Sequence, residues 1–194
     1  MTANRWSERV LHLIDIENLA GTPLPAVGEV RETRVRYGDR VRIGHADLVV
    51  IACNHKALLS VALGWRGARY RVRSGPDGAD LELLDVIEHE KVAERFARAV
   101  IGSGDGRFAD SAVELAELGC QVAVVSRRHS LARRLRLAAS DVIYIDGPAA
   151  GRPASRLWTR ANLSTAARSV VAPAPEPKPA SSQHNRRTTR QGTA

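Results

Sequence analysis

Short apolar runs alternate with helical patterns along most of this chain, and that alternation restricts the fold more than any single motif. The runs are VLHLID (10–15), ADLVVIAC (46–53), ARYRVR (68–73), RAVIGS (98–103), QVAVVS (121–126) and DVIYI (141–145). Several are nearly continuous in β-branched and aliphatic residues, as strands covered on both faces tend to be. Helical patterns fall between them, at roughly 24–38, 55–66, 78–95, 108–118 and 130–139. Strand–helix–strand order predicts an α/β fold: a mostly parallel central sheet with helices on both faces.

The pattern stops after Asp146. Two regions are expected: a single domain over 1–150, and a Pro-, Ala-, Ser- and Arg-rich tail over 151–194, largely disordered from about Ala172. Residues 155–171 are expected to form a short helix carrying Trp158. The net charge of +8 sits mostly in that tail, where eight basic residues face one Glu; the other 150 residues hold 21 basic and 20 acidic residues. A basic tail favours contact with nucleic acid or an acidic protein surface without choosing between them. Trp158 is its one aromatic residue, too little for a base-stacking platform.

Cys53 and Cys120 lie at the edges of apolar runs, outside any CxxC or Cys/His spacing. With no apolar stretch before a cleavage site near the N-terminus, this predicts a reduced, cytoplasmic chain. No run approaches the 18 or so apolar residues of a membrane helix, so no membrane partner is expected. Homo-oligomerisation stays open.

In open parallel sheets, ligands bind outside the carboxyl ends of the strands. The first strand ends in LIDIEN, delivering Asp15, Glu17 and Asn18. The fourth ends in IGSGDG, delivering Ser103 and Asp105. The helix opening DGADLELLDVI sets Asp80 on one face with Leu84 and Ile87, so packing of those two on the sheet aims Asp80 at its carboxyl edge. Taken singly, an Asp or Asn at a strand end is commonly a turn residue or N-cap. Taken together, Asp15, Asp80 and Asp105 are three acids from distant segments that the sheet can gather. Clustered carboxylates raise each other's pKa, and a hard divalent cation such as Mg²⁺ or Mn²⁺ removes that repulsion. Glu17 joins them if the first strand continues to it, and Asp85, off the face of Asp80, is expected to be solvated.

Residues 127–136, RRHSLARRLR, hold five arginines where a strand exits into a helix. Arg127, Arg128 and Arg133 are candidate contacts to substrate phosphates; a solvated helix face is the other reading. His55 and Lys56 read as a polar helix start, and His129 as an exposed histidine without a role.

LIDIENL, GADLELLDVI and IGSGDGRFADSAVELAELGCQVAVV, closed by SLARRLRLAASDVIYID, resemble in that order the NYN domain, a branch of the PIN-like ribonucleases. The resemblance spans about residues 8–146. It implies a Rossmann-like PIN fold and an endoribonuclease dependent on Mg²⁺ or Mn²⁺, with RNA as substrate. By position it makes Asp15, Asp80 and Asp105 the metal-binding acids, with Asn18 supporting them and Ser103 shaping the turn. The sequence departs from the family at Arg107, in SGDGRF, where many relatives carry a further Asp. A cation there removes a ligand. Either Asp110, one helical turn later, supplies the missing carboxylate, or the site is weakened and the domain binds RNA or a protein partner without cutting. Arg107 is itself a candidate phosphate contact. A different α/β enzyme, such as a phosphatase, ranks well below: the first strand reads DIEN rather than DxD, and the chain has no GxxxxGK(S/T) loop or GxSxG elbow.

Overall fold

A computed structural model describes residues 9–147, and the expected tail helix and disorder lie outside the described residues. Six strands pair in parallel throughout: β1 (Val10–Asp15), β2 (Leu48–Cys53), β3 (Arg69–Val72), β4 (Arg98–Gly102), β5 (Gln121–Ser126) and β6 (Asp141–Tyr144). Their order across the sheet is β3-β2-β1-β4-β5-β6. The chain runs outward from β1 to β3, crosses back to β4 beside β1, and runs outward again. The strand order therefore reverses between β1 and β4, which is where an open α/β sheet forms a crevice at its carboxyl edge.

Helices cover both faces, as the alternation predicts. On one face lie α4 (Gly78–His89), α6 (Phe108–Glu117) and α7 (Arg133–Ala138), whose Leu83, Val86, Phe108, Leu115 and Leu135 pack against Leu11, Leu13, Ile101 and Val124. On the other lie α1 (Ile16–Ala20), α2 (Val27–Arg40) and α3 (Leu58–Gly64), whose Leu19, Val30, Tyr37 and Val61 pack against Ile14, Ile51, Val100 and Val125. Leu11 and Leu13 face α4, and by strand alternation so does Asp15. Among the described residues no helix is long and apolar enough to cross a membrane.

Side-chain hydrogen bonds set the boundaries that periodicity misses. Asp47 accepts from the backbone N–H groups of Val10 and Gly44, so β2 begins one residue later, at Leu48. The expected helix over 78–95 is two: α4 ends at His89 with Glu90 as its C-cap, Lys91 takes a left-handed φ of 52°, and α5 (Val92–Arg95) follows. The segment 55–66 starts as a single 3-10 turn, His55–Ala57, with Asn54 accepting from the N–H of Lys56. That bears out the polar helix start. α7 is shorter than 130–139 because the Ala132 N–H is engaged by the Gly104 carbonyl.

Candidate functional site

β1 does not continue past Asp15. The chain turns directly into α1, and Asp15 becomes its N-cap, its Oδ1 accepting from the Asn18 N–H at 3.1 Å. Glu17 thus reaches the site from a helix, not along a strand. Ser103, fully buried just past β4, donates its hydroxyl to Asp15 Oδ2 at 3.4 Å and accepts from the Asp105 N–H at 3.2 Å. The Asn18 side chain closes the frame by accepting from the Gly104 N–H at 3.0 Å. The ends of β1 and β4, the two strands at the reversal, are therefore locked together by Asn18 and Ser103.

Asp80 enters from the first turn of α4 and is only 7% exposed. Its carboxyl lies within hydrogen-bonding reach of Asp15, while its Oδ1 is buried with no partner. Gly78 places it there: a Cβ at that position would lie 2.4 Å from the Arg73 carbonyl oxygen, so a larger residue would push the start of α4 off β3. Burial is the first cause raising both acids, Asp15 to about 7 and Asp80 to about 6. The Asn18 N–H opposes the rise at Asp15, and the charges of Asp80 and Glu17 add to it. At Asp80 the charge of Asp105 adds to the rise and that of Arg107 opposes it.

Asp105 makes its turn, its Oδ1 accepting from the Arg107 N–H at 2.9 Å, and it also faces Asp80 electrostatically. Arg107 reaches across to Asp77, 2.6 Å away, tying the β4–α6 turn to the start of α4. Asp77 holds a left-handed φ of 59°, which Asp tolerates better than most residues.

Asp110 does not join the acids. The helix begins at Phe108, and the Asp110 carboxylate, 90% exposed, is bound by Arg134 at 2.7 Å. Asp85, expected in solvent, is half-exposed and paired with Arg71.

The arginine run divides. Arg127 lines the cleft beside Asp15 and Asp80. Arg128 turns to β6, its N–H bonded to Asp146 and its guanidinium 4.5 Å from the centre of the Tyr144 ring. Arg133 is exposed at the start of α7, outside the cleft lining. His129 is exposed, 3.8 Å from Asp146.

The cleft has a volume of about 280 Å³ and takes Asp15, Glu17, Asn18, Asp80 and Arg127 from the expected residues; its lining adds Gly21, Thr22, Pro23, Asp77, Gly78 and Ala79, and Ser103, Asp105 and Arg107 are not part of it. The GTP after α1 and the PDG before α4 read only as turns in the sequence; their partnership depends on tertiary approach. Among the described residues no group of three or more His, Cys, Asp or Glu side chains is gathered as a ready metal site. The chemistry of the donors nonetheless fits a hard cation: they are all oxygens, and Asp80 Oδ1 has no other partner.

No family of known proteins matches the sequence, and no curated protein is similar to it. Among solved structures, a protein of unknown function from Vibrio parahaemolyticus is similar at 14% identity with a TM-score of 0.48, over 75% of this chain and 97% of that one.

Proposed function

We propose that the chain is a metal-dependent endoribonuclease of the NYN type, hydrolysing RNA phosphodiester bonds at Asp15, Asp80 and Asp105 with Mg²⁺ or Mn²⁺. The observation that carries this reading is the buried, unpartnered Oδ1 of Asp80 against Asp15 at the strand-order reversal. Two buried carboxyls in contact, both raised toward neutrality, are costly to ionise side by side, and a divalent cation resolves that cost. Such an ion lowers the pKa of water and offsets charge on a phosphoryl group. Asp15 and Asp80 would hold it, with the charge of Asp105 acting on Asp80 from the β4 turn. Ser103 and the Asn18 N–H keep the Asp15 carboxylate oriented, and Asn18 holds the β4 turn in register with β1.

The purified protein should cut single-stranded or structured RNA with Mn²⁺ or Mg²⁺ and stop in EDTA. Asp105→Asn and Asp80→Asn should each abolish cutting. Cleavage by either variant at the wild-type rate refutes the assignment.

A second reading is a module of the same fold that binds RNA or a protein partner without cutting it. Arg107 favours it, since a cation stands near Asp80 while Asp110 is engaged by Arg134. This reading expects RNA binding insensitive to EDTA and no cleavage with any divalent ion.

A further inference from the structure

Among the described residues Arg127 is the one cation lining a cleft whose other charged lining residues are Asp15, Glu17, Asp77 and Asp80, yet it forms an ion pair with none of them. Its Nε–H is buried and makes no hydrogen bond. The seat of the side chain is Gly21, which caps α1 at a φ of 81°. A Cβ on Gly21 would fall 2.0 Å from Nη1 and 2.7 Å from Cζ, so the guanidinium lies directly on the bare backbone. Nη2 follows at 3.2 Å from the same position, and the side chain so seated lines the open cleft. A guanidinium held among acids, paired with none and carrying an unused donor, points to an anion from outside the chain. Two oxygens of a tetrahedral phosphate match the planar fork, which can give two parallel N–H···O bonds.

We infer that Arg127, seated on Gly21, is the residue that holds an RNA phosphate in this cleft. The inference rests on the ribonuclease reading for the identity of the ligand and narrows the arginine-rich segment to one phosphate contact, since among the described residues Arg127 alone of that segment lines the cleft, while the Arg128 guanidinium lies over the Tyr144 ring and Arg134 is bound by Asp110. Gly21 is part of the contact: with a side chain there, the guanidinium would have to leave its seat.

The test is fluorescence anisotropy with a short single-stranded RNA, in EDTA and in Mn²⁺, together with cleavage kinetics. Arg127→Ala should weaken binding about tenfold and flatten its salt dependence by about one unit of slope. Arg127→Lys should recover part of the loss. Gly21→Ala should weaken binding while keeping the charge. Arg66→Ala, which removes a cation from the groove between α2 and α3, should change affinity less than twofold. Comparing 5′-phosphorylated with 5′-hydroxyl RNA tells a terminal phosphate, for which the Arg127→Ala loss vanishes with the 5′-hydroxyl strand, from an internal one, for which it persists. Where cleavage occurs, Arg127→Ala should raise KM with Mn²⁺ affinity unchanged. If the wild type binds but does not cut, the ribonuclease reading falls while the anisotropy series still decides Arg127. Binding by Arg127→Ala within twofold of wild type, an equal loss in Arg66→Ala, or no binding by wild type in either buffer overturns the inference.

Discussion

Asp80→Asn should stabilise the protein at neutral and alkaline pH when divalent ions are absent. Burial holds the Asp80 carboxyl at about 6, against an ordinary value of 3.8. A carboxyl whose pKa is higher in the folded state than in the unfolded chain favours the fold below the unfolded value, and that advantage is lost as pH rises through the folded value. The wild type should therefore lose stability between about pH 4 and pH 7. The rise of roughly two units, at 1.36 kcal/mol each, makes the loss on the order of 3 kcal/mol. Asn has nearly the same shape, stays neutral, and offers Asp15 an N–H donor in place of a competing charge, so Asp15 ionises more easily as well. In urea titrations in EDTA, the two proteins should be close near pH 4. By pH 8 the variant should lead by on the order of 3 kcal/mol, about 6–12 °C in Tm for a domain of this size. Mn²⁺ at 100 times its Kd should nearly close the gap, adding about 2.7 kcal/mol to the wild type, and at 1,000 times its Kd, adding about 4.1 kcal/mol, it should reverse the order. A variant no more stable than wild type at pH 8 in EDTA would show that Asp80 ionises at no cost, and the argument for a cation at this pair would fail with it.

Arg107→Ala removes a charge that holds Asp80 down, so the pH at which the protein takes up Mn²⁺ should move upward, read by calorimetric titration across pH. Asp110→Asn should leave Mn²⁺ affinity unchanged and alter stability by less than about 1 kcal/mol, because its pair with Arg134 lies in solvent. Asn18→Ala leaves the Gly104 N–H without its acceptor and should cost about 1–3 kcal/mol in urea denaturation, with a loss of RNA cleavage as the β4 turn slips. Gly104→Ala would set a Cβ 2.3 Å from the Ser130 carbonyl oxygen, so backbone must move, at about 1–3 kcal/mol on the same assay.

The strands were legible because burial on both faces leaves a nearly continuous apolar run, and β1 and β5 begin and end where the runs do. Their neighbours in the sheet followed from alternation, but the ends of β2 and β4 did not, since Asp47 and Ser103 leave the ladder for side-chain hydrogen bonds. Helix α1 was invisible: five residues are too few to show a period, and the Asp15 that caps it also reads as the end of a strand. The break at Lys91 was equally hidden, because a left-handed lysine carries no signal of composition. Of the candidate site, Asp15, Asn18, Ser103 and Asp105 are legible as what β1 and β4 deliver at their carboxyl ends. Asp80 was found by the face it shares with Ile87, which is buried. Asp110 was misplaced because spacing gives separation along a helix, not direction. From the first turn of α6 its side chain meets α7. Nothing local to Arg127 distinguished it from its neighbours, because its seat is a glycine more than a hundred residues away.

Asp105 shows why a turn residue and a site residue are poor alternatives at such a position. Its Oδ1 holds the Arg107 N–H and so shapes the turn, and the turn is what brings its charge to bear on Asp80. Arg107 follows from the same geometry. A carboxylate at 107 would face Asp77 and Asp80 as a further like charge, tolerable only with more cation in the cleft. The guanidinium instead binds Asp77, fastens the β4–α6 turn to α4, and lowers the pKa of Asp80. It is a fixed counter-charge where a further ligand would stand. A cleft built this way needs less added positive charge to ionise its buried acids, so the proposed metal site calls for one divalent ion, at Asp15 and Asp80, rather than two.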